Sequence, residues 1–425
     1  MHLIEELNWR GMIQDMMPGT DELLSKEKVR GYIGFDPTSD SLHIGSLVPI
    51  LLLVHLQRAG HQPVVLIGGA TGMVGDPSGK SEERNLLSEE QLSKNVEGIK
   101  TQLEKYLNFD SNLPNKAILV NNYDWFKNIS FIGFLRDVGK HVTVNYMMSK
   151  DSVKKRIEGE TGISYTEFAY QLMQGYDFLW LFENLDCKLQ MGGSDQWGNI
   201  TTGSELIRKM KGKEAFAFTC PLITKADGGK FGKTEKGNVW LDPERTTPYQ
   251  FYQFWLNAAD EDAIKWIKIF TLLPQEEIDT AINAHLQDPG ARTLQKKLAE
   301  AVTLFVHGSG GLQQAITTTE KLFSQQHAPA ESLSREDLEH MEGVTKITVD
   351  KSTITSGINF IQLLAETGIF PSKSEARKML QGGGVSLNRQ KISETEMLVD
   401  AKHLLHEQFL LIQKGKKNYY LIETK

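Results

Sequence analysis

Three clusters rich in Gly and Asp each follow a short apolar run: GFDPTSDS after residues 29–35, GGATGMVGDPSG after 63–67, and GGSDQWG after 188–191. A further short apolar run occupies 117–120. Between these runs lie stretches with helical spacing, at 43–59 and 88–107, the latter carrying Leu92, Val96, Ile99 and Leu103 on one face. Strands separated by helices pair in parallel, because the helix returns the chain to the edge of the sheet from which it left. The expected fold class is α/β with a doubly wound parallel sheet, whose ligands bind at the carboxyl ends of the strands. All three clusters fall at those ends.

A length of 425 residues suits about three domains. With 40% hydrophobic and 24% charged residues, the chain is too apolar for disorder. Only Cys187 and Cys220 are present, which excludes a disulfide scaffold and a Cys-rich zinc site; both read as buried small residues. The start, MHLIEELNWRG, is acidic where a signal peptide is basic, and the apolar run at 47–54 is far short of the ~20 residues of a membrane helix. A cytoplasmic protein with no membrane partner is expected. From 246 to about 326 the pattern is helical, and 326–352 is rich in Ser, Glu and Asp. The expected organisation is thus an α/β domain at 1–222, a basic loop and α-helical domain at 223–325, a linker at 326–352, and a small α/β unit at 353–425. Residues from 351 onward carry eleven Lys and Arg against seven Asp and Glu, a surplus of +4 that leaves −11 on the rest of a chain whose net charge is −7. A basic tail on an acidic body suits a polyanionic partner better than the sum implies.

Two segments suggest phosphate chemistry. DPTSDSLHIGS, at 36–46, stands between a strand and a helix start, where free N–H groups and the helix dipole favour a phosphate. His43 could donate to a phosphate oxygen, and Gly45 would admit a flat base. Alone, the segment is equally a helix cap with a surface His. KFGKT, at 230–234, places two lysines three residues apart in a glycine-flanked loop, suited to β- and γ-phosphates but also to a solvated loop. GDPSGKS is not a P-loop, since that pattern needs glycine at Val74, and GGATGMVG lacks the dinucleotide spacing. Tyr170, Gln174 and Asp177 share one helix face and could hold both polar ends of an amino acid, although Tyr and Gln at that spacing also simply pack. In the tail, Phe360, Leu363 and Leu364 form an apolar face. Lys373, Arg377, Lys378, Arg389 and Lys391 form a basic edge suited to an RNA backbone, or to a small solvated module.

Together, HIGS and KFGKT resemble the HIGH and KMSKS motifs of class I aminoacyl-tRNA synthetases. YIGFDPTSDSLHIGSL, GDPSGKSEER, the Tyr170-x-x-x-Gln174-x-x-Asp177 helix and GGSDQWGN narrow the resemblance to the bacterial-type tyrosyl enzymes. Ser46 replaces the final His of HIGH, and KFGKT keeps both lysines and the last hydroxyl of KMSKS while losing the middle one.

The resemblance implies a Rossmann-like catalytic domain, a helical anticodon-binding domain and an S4-like RNA-binding domain. It implies that Tyr32 and Asp177 contact a substrate phenol and that Asp76, Tyr170 and Gln174 hold its α-amino group, with Gln196 in the same pocket. For ATP it implies Gly34, Asp36, Thr38, His43, Gly45 and Ser46 around phosphate and base, and Gly193 and Asp195 at the ribose. His43, Lys80, Arg84, Lys230, Lys233 and Thr234 would serve catalysis, all but His43 as a pyrophosphate clamp. The implied activity is tyrosine–tRNA ligation with L-tyrosine, ATP, Mg²⁺ carried by the ATP, and tRNA(Tyr), performed by a homodimer without a metal site of its own. The rivals are the related tryptophan enzyme and a catalytically inactive synthetase-like RNA-binding protein.

Overall fold

The computed structural model describes residues 2–78, 87–159, 162–229, 231–234, 237–324, 329–339, 341, 344–415 and 418–425, without the side chains of 233, 234, 323 and 324. These form two compact units, Met1–Arg245 with Asn257–Val306, and Thr246–Leu256 with His307–Lys425.

In the first unit, β1 (Arg30–Phe35), α1 (Leu47–Arg58), β2 (Gln62–Ile67), α2 (Glu89–Leu103) and β3 (Ile118–Asn121) form one half of the fold. The other half contains α3 (Asp151–Ile157), α4 (Tyr165–Leu185), β4 (Cys187–Gly193), α5 (Trp197–Lys211) and β5 (Phe216–Cys220). The strands pair in parallel in the order β3-β2-β1-β4-β5. Strand order therefore reverses between β1 and β4, which opens a crevice at their carboxyl ends. Tyr32 of β1 lies opposite Val64 on one side and Gln190 on the other. Helix α6 (Asp260–Phe270) also belongs to this unit.

The apolar run at 47–54 is the core of this unit. In α1, Leu47, Val48, Ile50, Leu51, Leu52, Leu53 and Leu56 are buried. No helix among the described residues is long and apolar enough to cross a membrane. The helix expected from 43 begins at Leu47, after a single 3₁₀ turn at Ile44–Ser46. The cause is tertiary: the Ile44 N–H donates to the Val239 carbonyl, 2.9 Å away, so the chain at 42–44 runs extended as a strand-like partner of 239–241. Helix α2 starts on a Ser88 cap, whose hydroxyl accepts the Gln91 N–H at 3.2 Å. Cys187 and Cys220 are free and buried.

The second unit holds a mixed sheet of β6 (Thr345–Val349), β7 (Val385–Leu387), β8 (Gln390–Lys391), β9 (Phe409–Lys414) and β10 (Asn418–Thr424), in the order β8-β7-β9-β10-β6. Only the β6–β10 pairing is parallel. Helices α7 (Phe360–Glu366) and α8 (Lys373–Gln381) pack Phe360, Leu363, Leu364, Ala376 and Leu380 against Val385, Leu410 and Ile412. On a second core, Leu322, Leu333, Met341 and Val344 cluster with Phe409, Leu411, Tyr419 and Leu421.

Candidate active site

A cavity of about 530 Å³ opens at the carboxyl ends of β1 and β4. Twelve residues singled out from the sequence line it: Tyr32, Gly34, Asp36, Thr38, His43, Ser46, Asp76, Tyr170, Gln174, Asp177, Gly193 and Gln196. Gly45 and Asp195 stand in the turns that carry His43 and Gln196. Lys80, Arg84 and Lys230 lie outside the described residues. Lys233 and Thr234 form a two-residue strand paired with Gly237–Asn238, and their side chains are not described.

At the floor of the cavity, α4 presents Asp177, which is 2% exposed. Its Oδ2 accepts from Asn122 Nδ2 at 3.0 Å, and its Oδ1 accepts from Trp125 Nε1 at 2.9 Å. Burial pushes this carboxyl up to about 8, against the pull of those two hydrogen bonds. Tyr32, also fully buried, has a hydroxyl with no hydrogen-bond partner among the described residues. Burial, then the Asp177 charge, raises its phenol well above the ordinary range. The Tyr32 hydroxyl and the Asp177 carboxyl both line the cavity, a polar end suited to a ligand hydroxyl.

A chain of hydrogen bonds leads upward from there. Asn122 Nδ2 also donates to Thr71 Oγ1 at 3.0 Å, and Thr71 Oγ1 donates to Asp36 Oδ1 at 2.8 Å. Asp36 Oδ2 accepts the Tyr170 hydroxyl at 2.8 Å. Gly68 makes this possible, since a Cβ there would stand 2.1 Å from Asp36 Oδ1.

A second polar group gathers around Asp76. Asp76 Oδ2 accepts from Gln196 Nε2 at 2.7 Å, and its Oδ1 caps the Ser78 N–H at 3.0 Å. Asn199 Nδ2 donates to Gln174 Oε1 at 3.0 Å and reaches Gln196 Oε1 at 3.3 Å. A carboxylate and two amide oxygens lining one cavity suit an ammonium group. Asp195 is shifted upward by burial and then by the Asp76 charge.

At the mouth, His43 Nδ1 accepts the Gly45 N–H at 3.0 Å, and its ring lies edge-on to Trp240, 6.3 Å between centroids. The Val239 peptide joins the basic-loop and HIGS segments: its carbonyl accepts from Ile44, and its N–H donates to the Gly232 carbonyl at 3.0 Å. Phe231 stacks on Phe270 of α6 at 5.1 Å and meets Trp266 edge-on at 5.0 Å.

Sequence reasoning missed Thr71, Asn122, Trp125, Gln190, Asn199 and Trp240. Asn199 ends the GGSDQWGN motif, and Asn122 follows β3 at its carboxyl end, which is the signal that could have found them. In the second unit, Lys373, Arg377 and Lys378 are exposed on α8, and Lys391 is exposed on β8. Arg377 lies 4.0 Å from Glu396. Arg389 points elsewhere: its guanidinium donates to the carbonyls of Lys321 at 2.6 Å and Pro329 at 3.5 Å.

The family model described as tRNA synthetases class I (W and Y) matches residues 24–324, and the Tyrosine–tRNA ligase SYY-like C-terminal domain matches 338–422. The chain is 56% identical over 432 residues to the Tyrosine–tRNA ligase of Bacteroides thetaiotaomicron, covering 100% of both. It is 58% identical over 429 residues to that of Porphyromonas gingivalis, covering 99% of both. A C-terminally truncated mitochondrial tyrosyl-tRNA synthetase from Aspergillus nidulans superposes with a TM-score of 0.68 at 30% identity, over 76% of this chain and 94% of that one. A parallel sheet with a two-ended polar cavity and full-length relatives of this likeness lead to one conclusion: the chain belongs to the tyrosine–tRNA ligase family of class I synthetases.

Proposed function

We propose that this chain activates L-tyrosine with ATP and transfers the tyrosyl group to the 3′-terminal ribose of tRNA(Tyr). The observation that carries the reading is the two-ended cavity: Tyr32 and Asp177 at its floor, and Asp76, Gln174 and Gln196 on its flank. A tyrosine placed there satisfies the Tyr32 hydroxyl and Asp177 with its phenol, and meets the flank with its ammonium. Tyr170 holds Asp36 in place beside it.

The attacking group is tyrosine's own carboxylate, ionised at neutral pH. A bond forms between a carboxylate oxygen and the α-phosphorus of ATP, the bond to the bridging oxygen breaks, and pyrophosphate leaves. No general base is needed; alignment and stabilisation of charge on the leaving group supply the rate. His43 and Thr38 face the phosphates, Gly34, Gly45 and Ser46 border the nucleotide, and Gly193 and Asp195 receive the ribose. The pyrophosphate is assigned to Lys80, Arg84, Lys230, Lys233 and Thr234 on the motif resemblance alone. Mg²⁺ would be carried by the triphosphate and neutralise its charge there. In the second step a ribose hydroxyl attacks the tyrosyl carbonyl, and AMP leaves.

Lys373, Arg377, Lys378 and Lys391 are assigned to the tRNA backbone, in a cytoplasmic enzyme. A homodimer is supported by exposed apolar side chains close in sequence, among them Phe131 at 65%, Ile132 at 76%, Val144 at 58% and Tyr165 at 63% exposure. The deciding experiment is ATP–pyrophosphate exchange with single amino acids. Tyrosine alone should support exchange; dependence on tryptophan, or no exchange, overturns the reading. Lys233→Ala should slow adenylate formation about a hundredfold with tyrosine binding nearly unchanged.

A further inference from the structure

Helix α2 supplies none of the residues assigned above, although its Ile99 lines the cavity, and it buries polar side chains where a core-facing helix is normally apolar. Asn95 and Gln102, two turns apart, are 1% and 7% exposed. Both spend their amides on a single loop, 37–42. Asn95 Nδ2 donates to the Pro37 carbonyl at 2.9 Å, and Asn95 is itself oriented by Gln91 Nε2, which donates to its Oδ1 at 2.8 Å. Gln102 Oε1 accepts the Leu42 N–H at 2.8 Å, and its Nε2 donates to Ser41 Oγ at 3.0 Å. Between them Gly98 lets the loop touch the helix, since a Cβ at 98 would stand 2.1 Å from the Asp40 carbonyl oxygen. Lys94, one turn before Gly98, lies 3.6 Å from Asp40 Oδ2.

The loop so gripped has no strand or helix of its own. Thr38, Ser39, Ser41 and Leu42 line the cavity from it, and His43 follows directly. Burying two amides costs free energy unless their hydrogen bonds are met, and here both are met chiefly by this loop. We propose that Asn95, Gly98 and Gln102 are positioning residues for the ATP half of the site, holding Thr38 and His43 at the distance from β1 that adenylate formation requires. Tyrosine is held instead by α4, β1 and Asp76. Displacement of the loop therefore separates the two substrates kinetically. A misplacement near 1 Å is enough to cost a large factor in rate.

This inference rests on the reading of loop 36–46 as the nucleotide side, and the full-length chain tests both. Exchange kinetics for ATP and equilibrium dialysis with tyrosine are measured for the parent, Gln102→Leu, Gln102→Glu and Asn95→Ala. Gln102→Leu and Asn95→Ala should each lower kcat/KM for ATP about tenfold, with tyrosine affinity held within about twofold. Gln102→Glu should recover most of the loss, because its carboxylate still accepts the Leu42 N–H and Ser41 can turn its hydroxyl to donate. Unchanged ATP kinetics in both variants, a parallel fall in tyrosine affinity, or no recovery with Glu overturns the proposal while leaving the enzyme reading intact. A parent chain without tyrosine-dependent exchange overturns the functional reading, and this proposal with it.

Discussion

Tyr170 donates its hydroxyl to Asp36 Oδ2 across 2.8 Å, tying the second turn of α4 to the residue after β1, 134 residues away. The bond continues through Thr71 and Asn122 to Asp177, so Tyr170, Asp36 and Asp177 share one polar chain. Such a chain is rigid when every member is satisfied, and costly when one is removed.

Substrate selection should depend on Asp177. Its oxygens are already oriented by Asn122 and Trp125, and a phenylalanine ligand would leave the buried Tyr32 hydroxyl unpaired. Asp177→Ala should reduce the preference for tyrosine over phenylalanine in amino-acid activation by about tenfold to a hundredfold, the worth of a hydrogen bond to a charged or buried group. Unaltered discrimination would remove Asp177 from the role.

The same carboxyl makes stability depend on pH. Its value rises from 3.8 to about 8 on folding. Between those values the unfolded chain has released a proton that the folded chain keeps, so this group's contribution falls as pH rises through the window. Asp177→Asn cannot ionise and should lose that slope. Urea denaturation at about pH 5 and about pH 8 should show the variant gaining on the parent at the higher pH; a constant difference contradicts the assignment.

Arg156 and Glu167 form a buried bidentate pair, with N–O distances of 3.0 and 2.8 Å, between α3 and the first turn of α4. Glu167→Ala leaves the guanidinium buried without its carboxylate and should cost about 3–5 kcal/mol. Double replacement with apolar residues should cost less than the single change. Chemical denaturation of the three chains measures both.

In the second unit, Lys373→Glu with Lys378→Glu should weaken tRNA charging while leaving tyrosine-dependent exchange unaffected. The salt dependence of tRNA binding should flatten by roughly one unit for each phosphate that a lysine no longer neutralises. Arg389 makes a different expectation: bonded to the carbonyls of Lys321 and Pro329, its loss should lower stability before it alters the salt slope.

Local regularities in the sequence determined much of this protein. Alternating strand and helix periods specified a parallel sheet, and the Gly- and Asp-rich turns marked its carboxyl ends. The spacing of Tyr170, Gln174 and Asp177 put them on one helix face. These are short-range properties, fixed by backbone geometry and side-chain periodicity. Tertiary structure alone decided which distant groups complete them. Asn122 and Trp125 reach Asp177 only because β3 pairs beyond β2. Asn95 and Gln102, polar positions on an otherwise amphipathic helix, acquire meaning only when α2 lies along loop 37–42. Residues 345–349, in a stretch read as a linker, become β6 because the last strand offers a parallel edge. Arg389, read as part of a basic edge, turns toward carbonyls that the sequence places sixty and more residues earlier. Period and turn chemistry are written locally, whereas hydrogen-bond partners across a fold depend on packing, which no local window contains.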